Sequence, residues 1–379
     1  MLLYIVWDPM KEIIKGIQPP VWYSVLFALG FIISYQLVTY IFKSEGKNTE
    51  NVDTLTVYMV LATIIGARFG HLAFYEPARF LADPLMFFRT WEGGLASHGG
   101  AFGILIAMIL YRNYEVDSSW SPFKFKFRKH KREGQNYLWI LDRIVIATAM
   151  AVAFIRIGNF VNSEIVGMPT DSEYGVVFGR VAEEYLEKSN LGIESVEASK
   201  GDRTERLQAG IVPVDLKITF EGKNTTEQAV RQKVERNVKD YLTRYPAIRE
   251  HYAEPVGTPI NYVLSTEKRQ LVATVQTYGI ARHPAQLYEA GTLAILFLIL
   301  LAIWYKYRAR TPEGLLLGIF LIWAFGLRWV HETFKENQVS FEDDMTYNMG
   351  QLLSIPMILL GIVVLFKAFQ NYKKMKAIK

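Results

Sequence analysis

Four short stretches of the chain carry side chains suited to chemistry on an anion. "RIGNFVNSEIVG" supplies Arg156, Asn159 and Glu164, and "RHPAQLYEAG" supplies His283, Gln286, Tyr288 and Glu289. "LRWVHETFKEN" sets Arg328 and Glu332 four residues apart, and "GGLASHGGAFG" places His98 between two glycine pairs. A guanidinium stays charged, and its planar fork matches the oxygens of a phosphate. Glycine pairs let backbone N–H groups approach an anion closely. Histidine is the side chain best tuned to move a proton near neutral pH.

Each residue also has a plainer reading. A lone arginine at a helix end snorkels to headgroups. Arg328 and Glu332 have the spacing of a helix-stabilising ion pair. His98 reads equally as an interfacial histidine, and Gly99 and Gly103 as small residues that let helices pack closely. Trp22 and Tyr23 suit an aromatic belt. What separates the readings is the depth at which these residues arrive, and that depends on the elements that carry them.

The 379 residues are 51% hydrophobic, and the apolar ones come in blocks. Tyr23–Ile41, Leu55–Phe74, Ala101–Tyr111, Leu138–Ile155, Ala285–Tyr305, Leu315–Val330 and Leu352–Phe369 are each mostly apolar. Most approach the roughly 20 residues that cross a bilayer core. The expectation is an α-helical polytopic membrane protein of about seven spans. The leading "MLLYIVWDPMKEIIKGIQPP" lacks the basic leader and cleavage site of a secretory signal. There is no cysteine, which excludes disulfides, zinc–thiolate sites and a thiol-linked intermediate on the chain. No metal-ligand spacing is evident, and no cofactor is called for.

The formal charge of +5 belongs to loops rather than to a nucleic-acid face. Arg112, Arg128, Lys129, Arg132, Lys306, Arg308, Lys373 and Lys374 fall on one side of a seven-span chain, with Arg79, Arg89 and Lys335 on the other. The positive-inside rule then puts the N-terminus outside and the C-terminus in the cytoplasm. The charged segment 162–278 reads as a small extracytoplasmic α/β insertion domain, between membrane parts 1–161 and 279–379. "IVPVDLKITF" and "LVATVQTYG" within it predict strands. "TTEQAVRQKVERNVKDYLTRYPAIREHY" predicts a helix capped by Thr225 or Thr226 and ending near Pro246. With this topology Tyr23, His98, Arg156, His283, Glu289, Arg328 and Glu332 all reach the outer membrane level. Several spans delivering ionisable groups to one depth is costly and usually functional. The residues themselves imply an outward-opening phospholipid-headgroup site; a transporter or flippase for an anionic lipid is the alternative.

The four motifs, together with "MGQLLSIPM", resemble bacterial prolipoprotein diacylglyceryl transferase in order and placement. The resemblance implies a bacterial inner-membrane enzyme of seven spans. Such an enzyme moves diacylglyceryl from phosphatidylglycerol to the lipobox cysteine of a prolipoprotein signal peptide, as the first step of lipoprotein maturation. It further implies catalytic roles for His98 and Arg328, and phosphatidylglycerol binding by Arg156, Asn159, Gly99, Gly100 and Tyr23. Glu164, Gly167, Glu332, His283, Gln286 and Glu289 would support them. The partners implied are membrane lipids and the precursor peptide. The segment 162–278 is longer than the compact head expected of the family.

Overall fold

The computed structural model describes all residues except 1–3, 11, 15–19, 90–92, 95, 118–125, 130–131, 173, 204–205, 223–224, 337–344 and 378–379. Long apolar helices dominate: α1 (Trp22–Ser44), α2 (Glu50–Phe74), then a short α3 (Pro77–Ala82), α4 (Ser97–Asn113) and α5 (Tyr137–Val161). Among the described residues six helices are long and apolar enough to cross a membrane by length and composition. The third apolar block forms the shorter α4, of 17 residues. Large apolar side chains such as Ile64, Ile65, Ile106, Leu298 and Phe366 point outward from these helices, as lipid-facing surfaces do. The chain divides into two compact units. One comprises Met1–Ala28, Ala153–Thr292 and Leu327–Leu352, the other Leu29–Val152, Leu293–Gly326 and Leu353–Lys379.

In the second unit the core forms around α5, where Ile140, Ile144, Ile146 and Ala149 are buried with Ile41, Met108, Leu300 and Leu316. Two carboxylates sit inside it, with Arg143 beside them. Glu45, just past α1, accepts from Arg143 Nε and Nη2 at 3.0–3.1 Å, from Trp139 Nε1 at 3.0 Å and from Trp304 Nε1 at 2.7 Å. Asp142 accepts from the backbone N–H groups of Gly314 and Leu317 at 2.7 and 2.8 Å, satisfying donors that the start of a helix leaves open.

Helices α2 and α4 touch backbone to backbone. A Cβ on Gly99 would lie 2.1 Å from Gly66 O, and one on Gly66 would lie 2.4 Å from Gly99 O. Of the two glycine pairs in the histidine motif, only the first is a turn, with Gly93 and Gly94 at φ +82° and +76°. The second pair lies inside α4.

In the first unit, β1 (Ile5–Trp7) pairs in parallel with β4 (Val176–Phe178). Two further strands, β2 (Tyr114–Asp117) and β3 (Lys126–Lys129), form a hairpin in the other unit. The segment after α5 builds a four-stranded antiparallel sheet, ordered β5-β6-β8-β7, from Ile193–Lys200, Ile211–Phe220, Asn261–Glu267 (β7) and Gln270–Ile280 (β8). The even positions of β6, Val212 to Phe220, are buried, as a strand with one packed face requires. Before it comes α6 (Arg180–Glu187). The expected helix starts at Thr226, whose hydroxyl accepts from Ala229 N at 3.3 Å.

That helix is α7 (Glu227–Gln232), a π-helical stretch at Lys233–Val238, and α8 (Lys239–Arg244), with α9 (Pro246–Arg249) starting at the proline. Val230, Val234, Val238 and Leu242 are all fully buried. A strict α-helix would rotate residues four apart steadily off one face; the wider π turn keeps them aligned. The remaining helices are α10 (Ala285–Tyr307), α11 (Leu315–His331) and α12 (Met349–Ala377).

The N-terminal strand ties the end of α5 to this sheet. Trp7 stacks on Phe160 with centroids 4.5 Å apart, and its Nε1 donates to Phe160 O at 2.9 Å. Asp8 accepts from Ala198 N at 2.7 Å, and Arg180 donates to Val161 O and Pro9 O at 3.0 and 2.6 Å. The last two turns of α5, which carry Arg156 and Asn159, are thereby fixed in place.

Candidate active site

Arg156 and Asn159 sit three residues apart on α5 and so share a face. Arg156 Nη1 donates to Asn159 Oδ1 at 3.4 Å, a long contact, and Asn159 Nδ2 donates to Glu164 Oε2 at 3.3 Å. The chain leaves α5 through Ser163 and Ile165, at φ 57° and 55°. Left-handed backbone at non-glycine residues costs on the order of 1 kcal/mol each and concentrates at functional sites. It turns the segment back so that Gln286 Nε2 on α10 reaches Glu164 O at 2.6 Å. Gln286 is itself buried, and its Oε1 has no hydrogen-bond partner among the described residues. Tyr23 packs on the same helix: a Cβ on Gly158 would fall 2.8 Å from its ring.

Gly167 lies where three stretches meet. Its N–H donates to His283 O at 3.1 Å, Met168 N donates to Phe334 O at 2.8 Å, and His283 N donates to Met168 O at 3.0 Å. No side chain fits there, since a Cβ would stand 2.3 Å from His283 O and 2.8 Å from Phe334 O. The His283 ring meets Tyr288 OH through Nδ1 at 3.2 Å and packs edge-on to Phe334. Burial lowers its pKa below the usual histidine value, so the neutral ring is favoured.

This junction aligns a row of alternating charges. Arg156 pairs through Nε with one oxygen of Glu289, whose other oxygen meets Lys335 Nζ. Lys335 lies 3.4 Å from Glu332 Oε1, and Arg328 Nε lies 3.5 Å from the same oxygen. Glu289, Lys335 and Glu332 are nearly enclosed, whereas Arg156 and Arg328 keep 19% and 32% of their side chains exposed. Both arginines therefore turn an Nε edge to a carboxylate, Arg156 Nη1 faces Asn159, and part of each guanidinium side chain stays exposed. Asn348 Nδ2 adds a 3.3 Å bond to Glu332 Oε2. Beside the row is a cavity of about 590 Å³, lined by Glu332, Lys335, Thr346, Asn348, Gln351 and Met168 among others.

The structure thus brings together Tyr23, Arg156, Asn159, Glu164, Gly167, His283, Gln286, Glu289, Arg328 and Glu332 in one compact unit. His98, Gly99 and Gly100 belong to the other unit, at the first turn of α4, and the His98 side chain lies outside the described residues. Gly99 is in backbone contact with α2, and a Cβ on Gly100 would make an ordinary 3.6 Å contact with Ala67.

Sequence reasoning missed Lys335, which it counted only as a loop charge. It also missed the reciprocal bonds between Asn348 and Gln351 at 2.9 and 3.1 Å. The N-x-x-Q spacing there is a legible capping box at the start of α12. Arg68 was hidden in an apolar block. It is buried on α2 and donates to the carbonyls of Met86, Phe87, Arg89, Gly93 and Gly94, holding the loop that leads to α4.

The apolar helices are those of a multi-pass membrane protein, and in one of its units two partly exposed arginines stand on nearly enclosed carboxylates. The chain belongs to the prolipoprotein diacylglyceryl transferase family, whose model matches residues 14–367. It is 30% identical to the phosphatidylglycerol–prolipoprotein diacylglyceryl transferase of Tolumonas auensis, over 91% of this chain and 89% of that one. The enzyme of the same name from Porphyromonas gingivalis is 31% identical over 97% and 96% of the two chains. That of Chloroherpeton thalassium is 28% identical over the same shares.

Proposed function

We propose that the chain transfers the diacylglyceryl group of phosphatidylglycerol to the lipobox cysteine thiol of a prolipoprotein, with Arg156 and Arg328 holding the phosphate. The observation that carries this reading is the row Arg156–Glu289–Lys335–Glu332–Arg328, which sets each guanidinium against a carboxylate by Nε and leaves part of it exposed to an anion. In the reaction the thiol sulfur attacks the glycerol carbon that bears the phosphate ester. A C–S bond forms and the C–O bond breaks, with its electron pair passing to the departing glycerol phosphate. Charge grows on the phosphate oxygens, where preorganised arginines act most strongly. The thiol proton passes to His98 as base; with a thiol pKa near 8.5, most of the nucleophile is protonated at neutral pH. Family membership favours transfer over lipid export.

The same reading has seven spans, with α4 as the third, in a bacterial inner membrane. It places the N-terminus outside, the C-terminus in the cytoplasm and residues 162–278 as an extracytoplasmic domain. The membrane parts are then 1–161 and 279–379, and the site opens outward. Glycine packing supports α4 as a span, because α2 and α4 approach as membrane helices do.

The test is mass addition to a lipobox peptide by purified protein in phosphatidylglycerol micelles. Arg156→Lys keeps the charge but not the fork, and the loss of one charge-assisted bond predicts a roughly 10- to 100-fold fall in kcat/KM. Near-parental turnover would reduce Arg156 to a snorkelling residue.

A further inference from the structure

We infer that Lys335 is a positioning residue of the phosphate site, acting through the two carboxylates that hold the arginines. The inference rests on the reading above and assigns a residue that lies outside the matched arginine and histidine positions. Lys335 is buried, with 5% of its side chain exposed, and its Nζ lies between Glu289 Oε1 and Glu332 Oε1. Its backbone is fixed as well, since Lys335 forms an antiparallel bridge with Gly167, at the junction where no side chain fits.

The electrostatic logic is one of division. Glu289 gives one oxygen to Arg156 and the other to Lys335, while Glu332 shares Oε1 between Lys335 and Arg328. The five groups carry three positive charges and two negative. With Lys335 neutral, two carboxylates and two arginines remain, and each buried carboxylate has lost a cation. A buried charge without its partner draws in whatever opposite charge can reach it. The groups within reach are the guanidiniums of Arg156 and Arg328, whose Nε edges already face those carboxylates. Lys335 thus keeps the arginines available for phosphate while touching neither the sulfur nor the carbon that reacts.

The experiment compares Lys335→Met and Lys335→Arg in transfer from phosphatidylglycerol to a lipobox peptide, with KM for the lipid separated from kcat. Lys335→Met is expected to raise the lipid KM about 10- to 100-fold, the worth of one charge-assisted contact, with a smaller change in kcat. Lys335→Arg, which restores the charge, is expected to recover most of that loss. An unchanged lipid KM in Lys335→Met overturns the inference, as does a folded Lys335→Arg that is as impaired as Lys335→Met. If Lys335→Met cannot be purified, Lys335→Gln, which keeps polarity but drops the charge, takes its place. A lipid KM raised about tenfold or more then supports the charge-balance role, and an unchanged lipid KM refutes it. A parent chain without transferase activity would instead sink the functional reading and is told apart by that control.

Discussion

Replacing Gly167 by alanine isolates the junction on which the site depends. The added Cβ would stand 2.3 Å from His283 O and 2.8 Å from Phe334 O. An unstrained C···O approach is about 3.3 Å, so one neighbouring segment must retreat by roughly 1 Å. Either retreat moves the site: Ala281–His283 leads into Gln286 and Glu289, and Phe334 precedes Lys335. A misplacement of about 1 Å costs on the order of 100-fold in rate, and overpacking a filled position costs ~1–3 kcal/mol in stability. Transfer to a lipobox peptide should therefore fall about 100-fold, with a lower thermal midpoint in detergent. Gly291→Ala on α10 is the control, because among the described residues no atom lies within 4 Å of where its methyl group would stand; it should retain parental activity. If Gly167→Ala matched Gly291→Ala in both rate and midpoint, the close approach at Gly167 would have no bearing on the site.

His98→Gln tests the base role: transfer should drop ~100- to 10,000-fold at neutral pH, and the deficit should shrink as pH rises toward the thiol pKa near 8.5. A deficit constant with pH would make His98 a positioning donor. Burial, then neighbouring Asp8, pushes the Glu183 carboxyl up to about 8. Its protonated form therefore stabilises the fold at low pH, and that contribution is lost as pH rises from the unfolded carboxyl range through about 8. Glu183→Gln should consequently gain stability relative to the parent between about pH 5 and 8.5 in thermal unfolding; an equal difference at both pH values would contradict the assignment. For topology, a reporter fused after Lys131 should read cytoplasmic and one within 190–201 extracytoplasmic. Two signals from the same side would remove α5 as a span.

Much of this architecture was legible because hydrocarbon is a demanding solvent. Apolar blocks long enough to span mark their helices directly, and the strand Ile211–Phe220 was readable from its alternation. The charged stretch before it hid α6 and β5, whose buried apolar residues Ala182, Leu186, Ile193 and Val196 are scattered among charged ones. In the site, Arg156 and Arg328 stood out because both fall near the end of an apolar run, at one expected membrane depth, whereas Arg68 lies in the middle of one. Lys335 did not, since a lysine just past a span is ordinary by composition. Its role comes from the Gly167 junction, which joins residues more than 100 positions apart, and no local pattern announces such a contact. The π turn at Lys233–Val238 was hidden likewise, although the four-residue spacing of Val230, Val234, Val238 and Leu242 records it.

The enclosed Glu45 has a consequence for biosynthesis. Its carboxylate is matched by Arg143, 98 residues later in the chain, and by Trp304, 259 residues later. At roughly 5–20 residues per second, synthesis brings the arginine within about 5–20 s and the tryptophan within about 13–50 s. Until the arginine arrives, the nascent protein carries a carboxylate without the cation that matches it in the finished one. A chain stalled or truncated before α10 keeps an incomplete set of donors around it. The mark of unfinished assembly is therefore graded: the charge is matched when the arginine arrives, and the last donor is in place only when the indole does.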